Sequence, residues 1–69
     1  RLAAYLTDEY VTLGSGVIST THEQIAKNLG TAREVVSRML KYFEKEGLVA
    51  LGRGTITIKN VSGLKKLLT

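Results

Sequence analysis

The sequence contains no cysteine and only one histidine. Without cysteine there can be neither a disulfide framework nor a thiolate zinc site, and this absence is typical of a protein from a reducing, cytoplasmic setting. The single histidine has no metal or catalytic partner, Glu44 and Glu46 are the one candidate carboxylate pair for catalysis, and no glycine-rich phosphate loop is present. The sequence therefore predicts a protein that is not an enzyme and whose 69 residues hold no cofactor or metal.

Long apolar runs are also absent. No stretch approaches the roughly 18 residues of a membrane-spanning helix, and there is no signal-peptide pattern. A chain of 69 residues forms one small domain, so residues 1–69 are predicted to be a single unit. The chain begins at Arg1 rather than at methionine, and RLAAYL is predicted to be helical from its first residues. We therefore expect it to be part of a longer protein.

Positive charge is concentrated in the later part of the chain. Residues 1–26 have one basic and three acidic residues, a net charge of −2, whereas residues 27–69 have nine basic and three acidic residues, a net charge of +6. Basic charge gathered in one region is the electrostatic footprint of a nucleic-acid-binding protein. Many basic proteins bind nothing anionic, so charge alone leaves this open.

Hydrophobic spacing and stop residues predict helices in the first two thirds of the chain. Apolar residues recur at helical spacing over residues 2–13, before Gly14, and VIS at 17–19 is compatible with a short strand. TTHEQIAKNLG begins with two overlapping capping boxes and ends at Gly30, which predicts a second helix of about nine residues. A third helix over about 32–46 follows after a residue or two of turn. Its predicted core stripe is Val35, Val36, Met39, Leu40 and Phe43.

The remaining residues predict a hairpin and a short final helix. LVAL and TITIK are apolar or β-branched runs, and GRG at 52–54 would join them in a β-hairpin with a three-residue connection. VSGLKKLL at 61–68 predicts a short helix or turn. This order of elements is that of a winged helix-turn-helix, a mainly α fold with a small β-hairpin wing (α+β) and a three-helix core.

The short turn between the second and third helices sets demands on residue size. The shorter helix needs a small residue where its partner approaches, and the turn needs a residue that tolerates left-handed backbone angles. Ala26 and Gly30 meet these demands, and Val36 and Met39 provide core positions beyond the turn. This spacing favours a helix-turn-helix over two unrelated helices and a loop.

The polar side of the third helix is the candidate functional surface. It carries Arg33, Glu34, Ser37, Arg38 and Lys41. Arginine can donate two hydrogen bonds to guanine, glutamate can accept one from the cytosine amino group, and serine or lysine can hold phosphates. Glu34 can also orient Arg38 through an ion pair one turn apart. On periodicity alone, however, a solvated helix face with a routine ion pair explains the same residues.

The run THEQIAKNLGTAREVVSRMLKYFEKEGLV resembles the DNA-binding domain of the Crp/Fnr family, in which a Thr-capped helix ending in Ala and Gly leads into an Arg-Glu-x-x-x-Arg recognition helix. RLAAYL is similar to the segment after that family's dimer helix, and LVALGRGTITIKN to its wing. The resemblance implies that Arg33, Glu34 and Arg38 read base pairs. It also implies that Ser37 tunes the recognised site.

Further positions follow from this resemblance. Thr21 and His22 fall where the family contacts phosphate. The family usually has Ser or Cys at the position of Ala32, so we expect Thr31 to take over the helix cap. It usually has Thr or Ser at the position of Val35, so a second hydroxyl is missing there. The predicted DNA-binding residues are Thr21, His22, Thr31, Ala32, Arg33, Glu34, Ser37, Arg38, Lys41 and, at the wing tip, Arg53.

The resemblance implies a sequence-specific DNA-binding transcription regulator of bacterial type. Its partner would be double-stranded DNA carrying an inverted-repeat operator, bound by a homodimer, and RNA polymerase is a candidate partner. A dimer helix and an effector-binding domain are expected N-terminal to Arg1. Two alternatives remain at this point: a winged-helix module for protein contacts, and a winged-helix regulator of another family.

Overall fold

The computed structural model describes residues 1–68 as four helices and a three-stranded antiparallel sheet. In chain order the elements are α1 (Leu2–Leu13), β1 (Val17–Ser19), α2 (His22–Leu29), α3 (Arg33–Lys45), β2 (Val49–Gly52), β3 (Thr55–Ile58) and α4 (Val61–Lys66). The predicted winged helix-turn-helix architecture is confirmed. Within this described part of the chain, none of the helices combines the length and the apolar character needed to cross a membrane.

The central strand of the sheet is β3, which pairs with β1 on one side and with β2 on the other. Ile56 in β3 lies opposite Ile18 in β1 and opposite Leu51 in β2, so an apolar row crosses the sheet. Ile18 and Ile56 are buried in the core beneath the helices. The sequence predicted the hairpin, but it gave no sign that residues 17–19 would join it.

The turn of the hairpin is shorter than predicted. Gly52 pairs with Thr55 as part of the β2–β3 ladder, so the connection consists of Arg53 and Gly54 alone. The predicted three-residue connection is therefore wrong by one residue. Gly52 extends the ladder because it has no side chain: a β carbon there would lie 2.7 Å from the Thr55 hydroxyl oxygen. Gly54 has a φ of 70°, in the left-handed region that favours glycine.

The turn between α2 and α3 has the small buried residue and the left-handed residue that were predicted from the sequence. Ala26 is buried, and Gly30 has a φ of 68°. The backbone N–H of Thr31 donates to the Ala26 carbonyl at 3.0 Å, which closes the last turn of α2. The prediction for Ala26 and Gly30 is confirmed, and the turn spans the three residues 30–32 rather than one or two.

The two helices of this unit begin differently. The hydroxyl of Thr21 accepts from the backbone N–H of Gln24 at 3.1 Å, so this threonine caps α2. The cap residue of α3 is Ala32, and no side chain caps this helix. The expectation that Thr31 caps α3 is therefore wrong. Because α3 begins at Arg33, Thr31 lies one residue before the position from which a side chain could cap it.

The buried face of α3 is narrower than predicted. Val36, Leu40 and Phe43 are at most 1% exposed, whereas Val35 and Met39 are 40% and 41% exposed. Helical rotation places the latter two about 60–100° away from the buried centre, on a flank that other elements cover only in part. The prediction that Val35 and Met39 belong to the core is therefore wrong. Only one side of α3 is covered, chiefly by α2 and β2.

Candidate nucleic-acid interface

The side of α3 that points away from the core carries mostly positive charge. Glu34, Arg38, Lys41 and Lys45 are exposed, and their spacing of i, i+4, i+7 and i+11 places them along one face. We call this the outward face. Lys45 was missing from the sequence prediction, although its position one turn after Lys41 was a usable signal. Three cations and one carboxylate give this face a net positive charge.

Glu34 and Arg38 do not form the ion pair that their spacing suggested. Neither side chain has an ionic partner among residues 1–68. Both are exposed, and in that setting water competes for each charge and the attraction between them is small. The proposed fixing of Arg38 by Glu34 is therefore wrong. The guanidinium of Arg38 keeps all of its donors available for a ligand.

A polar cleft of about 380 Å³ lies where α2, α3 and the hairpin turn meet. Its lining residues are Thr20, Thr21, His22, Glu23, Arg33, Gly52 and Gly54. The backbone N–H of Thr20 donates to the Gly54 carbonyl at 3.1 Å, which holds the hairpin turn against the segment before α2. No local pattern in the sequence predicts this cleft, because the strand pairing that positions the hairpin turn joins distant parts of the chain. Thr20, Glu23 and the two glycines were missed for that reason.

A side-chain hydrogen bond joins α2 to α3 beside the cleft. Nδ1 of His22 lies 2.9 Å from Oγ of Ser37, and both residues are half-buried. The sequence predicted each of them as a DNA contact but did not place them together. Ser37 lies one turn after Arg33 and one turn before Lys41, so the bond reaches the middle of the polar part of α3.

The other predicted residues lie at separate places around this cleft. Arg53 is exposed at the hairpin turn, between the two glycines that line the cleft. Thr31 faces the opposite flank, in an apolar groove of about 330 Å³ lined also by Leu29, Val35 and Met39. Ala32 is exposed at the start of α3. The structure thus groups Thr21, His22 and Arg33 in the cleft, with Ser37 bonded to His22 beside it. It places Glu34, Arg38 and Lys41 on the outward face and separates Thr31 from both.

The same region offers no arrangement for a metal ion. Among residues 1–68, no three His, Asp or Glu side chains come close enough together to hold one. The polar groups of the cleft are hydroxyls, a ring nitrogen and the Arg33 guanidinium, which suit an anion, and the Glu23 carboxylate, which opposes one.

Residues 1–67 match the family model of the Crp-like helix-turn-helix domain. The chain belongs to this family. The resemblance to the Crp/Fnr regulators is thereby confirmed, and the alternative of a winged-helix regulator from another family is wrong. The match includes both the helix-turn-helix and the hairpin, so it covers every element that surrounds the cleft.

Two curated relatives of this Crp-like domain carry the names of regulators. "Transcriptional regulator SdrP" of Thermus thermophilus is 33% identical over 54 residues, which cover 78% of this chain and 27% of that protein. "Transcriptional regulatory protein btr" of Bordetella pertussis is 33% identical over 99% of this chain and 31% of its own length. The chain thus spans less than a third of the length of these relatives.

Solved structures agree with the family assignment of the Crp-like domain. A crystal structure of a transcriptional regulator of the crp/fnr family from Eubacterium rectale has a TM-score of 0.93 and 48% identity, over 97% of this chain and 31% of that chain. The catabolite activator protein of Thermus thermophilus has a TM-score of 0.80 and 32% identity, over 94% of this chain and 31% of its own.

Proposed function

We propose that this Crp-like domain is the DNA-reading part of a sequence-specific transcription regulator. The observation that carries the proposal is the outward face of α3, which is positively charged, is uncovered, and begins one tight turn after α2. A helix presented in this way fits the major groove, with its N-terminal residues at the base edges. Family membership and the names of the relatives support this function and give no support to a protein-contact module.

Each part of the interface has a task in this proposal. Arg33 and Arg38 donate paired hydrogen bonds to guanine, and Glu34 accepts from a cytosine amino group. Lys41 holds a backbone phosphate. The cleft takes a second phosphate, because the start of α2, with the positive end of its helix dipole, and the Arg33 guanidinium both line it.

The proposed assembly is the one that the resemblance to the Crp/Fnr regulators implies for the full-length protein. The full-length regulator is a homodimer that places two α3 helices in successive major grooves, about 34 Å apart, on an inverted-repeat operator. The other two thirds or more of the chain supply the dimer helix and an effector-binding domain. The regulator acts in the cytoplasm, and RNA polymerase is its candidate protein partner.

Selection of bound sequences from random DNA by the full-length regulator tests this function. We expect enrichment of an inverted repeat with half-sites one helical turn apart, and an affinity for it that falls steeply as salt rises. Failure to enrich any sequence, together with binding that does not depend on salt, would contradict the proposal. A protein partner that covers the segment from Arg33 to Lys41 would then point to a module for protein contacts.

Arg53 is expected to contact the DNA backbone without recognising the base sequence. Replacing it with alanine should weaken the binding of all sequences alike and reduce the slope of log affinity against log salt by about one, because one phosphate contact is lost. Titrations of operator and scrambled DNA at several salt concentrations measure both effects. Lys59→Ala removes the same charge from an exposed site at the other end of β3 and should leave the slope unchanged. A loss confined to the operator would contradict the role of Arg53.

A further inference from the structure

The hydrogen bond between His22 and Ser37 ties the cleft to the DNA-reading helix. Among residues 1–68 it is the only hydrogen bond between a side chain of α2 and one of α3. Nδ1 of His22 is the ring atom in this bond, and the other ring nitrogen, Nε2, has no partner among these residues. His22 also lines the cleft, where Arg33 and the positive end of the α2 dipole attract an anion and the Glu23 carboxylate opposes it.

The two nitrogens of a neutral histidine have opposite roles, because one carries the hydrogen and the other accepts one. A phosphate diester can only accept hydrogen bonds. When Nε2 of a neutral His22 donates to a DNA phosphate in the cleft, that nitrogen carries the hydrogen and Nδ1 accepts. The hydroxyl of Ser37 then gives its single hydrogen to Nδ1, so its oxygen has only lone pairs left to offer to a base.

We infer that His22 is a positioning residue that turns Ser37 into a reader of exocyclic amino groups. In the major groove, only the amino groups of adenine and cytosine donate hydrogen bonds, whereas the oxygen and nitrogen acceptors of guanine and thymine would face another lone pair. The base next to Ser37 is thus an adenine or a cytosine. This inference rests on the proposed function, since it requires α3 to lie in the major groove.

Two substitutions of His22 separate its role toward Ser37 from its role toward phosphate. Asparagine places an amide oxygen near the position of Nδ1, so it keeps an acceptor for the Ser37 hydroxyl. Glutamine extends toward the position of Nε2, so it keeps a phosphate donor and loses the acceptor for Ser37. Ser37→Ala removes the reading oxygen itself. Thermal unfolding of each variant checks that the fold is retained.

The experiment measures the affinity of the full-length regulator for its selected operator and for all single-base changes. The wild type should prefer adenine or cytosine at one position in each half-site. Ser37→Ala and His22→Gln should each lose this preference by about 3- to 10-fold at that position alone, the range expected for one hydrogen bond. His22→Asn should keep it.

Base analogues provide the atomic control. Purine in place of the adenine, or pyrimidin-2-one in place of the cytosine, removes only the amino group. This change should weaken DNA binding by the wild type as much as Ser37→Ala does. It should not weaken DNA binding by the Ser37→Ala variant any further. If His22→Gln keeps the preference, or weakens all sequences equally, the bond is merely structural and the inference is overturned. The proposed function survives that result as long as the operator is still preferred over scrambled DNA. Loss of that wider preference in the wild type would overturn both.

Discussion

An Arg38→Ala variant of the full-length regulator is expected to bind its operator little better than scrambled DNA. Arg38 is exposed on the outward face of α3 and has no ionic partner in the described residues, so both arms of its guanidinium are available to one guanine. A good bidentate contact of this kind contributes about 1–3 kcal/mol of discrimination at each half-site, roughly 5- to 150-fold. Titrations of both DNAs with wild type and variant measure the ratio.

Two further variants distinguish reading from general attraction. Arg38→Lys keeps the charge but lacks the planar fork, so it should lose nearly as much discrimination while keeping the salt dependence of the wild type. Lys41→Ala should do the reverse, weakening operator and scrambled DNA together. If Arg38→Ala leaves the ratio of the two affinities unchanged, Arg38 does not read bases and α3 is not the recognition helix.

A Phe43→Ala variant is expected to lose most of the folding stability. Phe43 is 1% exposed and is the largest of the fully buried side chains, so its removal leaves a cavity bounded by the core. Such a substitution costs about 3–5 kcal/mol. A domain of this size has a free energy of unfolding of only roughly 3–10 kcal/mol. Urea denaturation followed by circular dichroism should therefore show a much lower midpoint or no folded baseline.

The neighbouring aromatic residue provides the control for this stability prediction. Tyr42 is 51% exposed, and its ring centroid lies 6.0 Å from that of Phe43 at an angle of 55°. Tyr42→Ala loses this ring contact and little burial, so it should cost no more than about 1.5 kcal/mol. Equal losses for the two variants would mean that α3 is rotated relative to the core from the orientation described above.

Local patterns predicted most of the fold. Gly30 ends α2 because a left-handed residue closes a helix, and Thr21 begins it because a hydroxyl can bind the free N–H of Gln24. Both effects act between residues within one turn of the chain, so both can be predicted from the local sequence. The errors also lie within a turn: Thr31 is one residue from the cap of α3, and Gly52 is one residue inside the strand. Boundaries depend on packing as well as on local preference.

The cleft depended on contacts that no local pattern contains. Pairing of β1 with β3, together with the bond from the Thr20 N–H to the Gly54 carbonyl, brings the hairpin turn to the start of α2. The hydrogen bond between His22 and Ser37 likewise needs a particular crossing of α2 over α3. In each of these contacts, the local sequence around one residue does not indicate which residue it will contact.

The amino-acid sequence was sufficient to predict the order of the elements, the tight turn at Gly30, the resemblance to the Crp/Fnr regulators and the polar residues that α3 carries. The packing of the folded chain was needed to show that Val35 and Met39 are exposed while Val36 is buried, and that His22 reaches Ser37. Helical periodicity and capping are properties of a few neighbouring residues. Which side of a helix is covered depends instead on how distant segments pack against it, and that is settled only when the whole chain has folded.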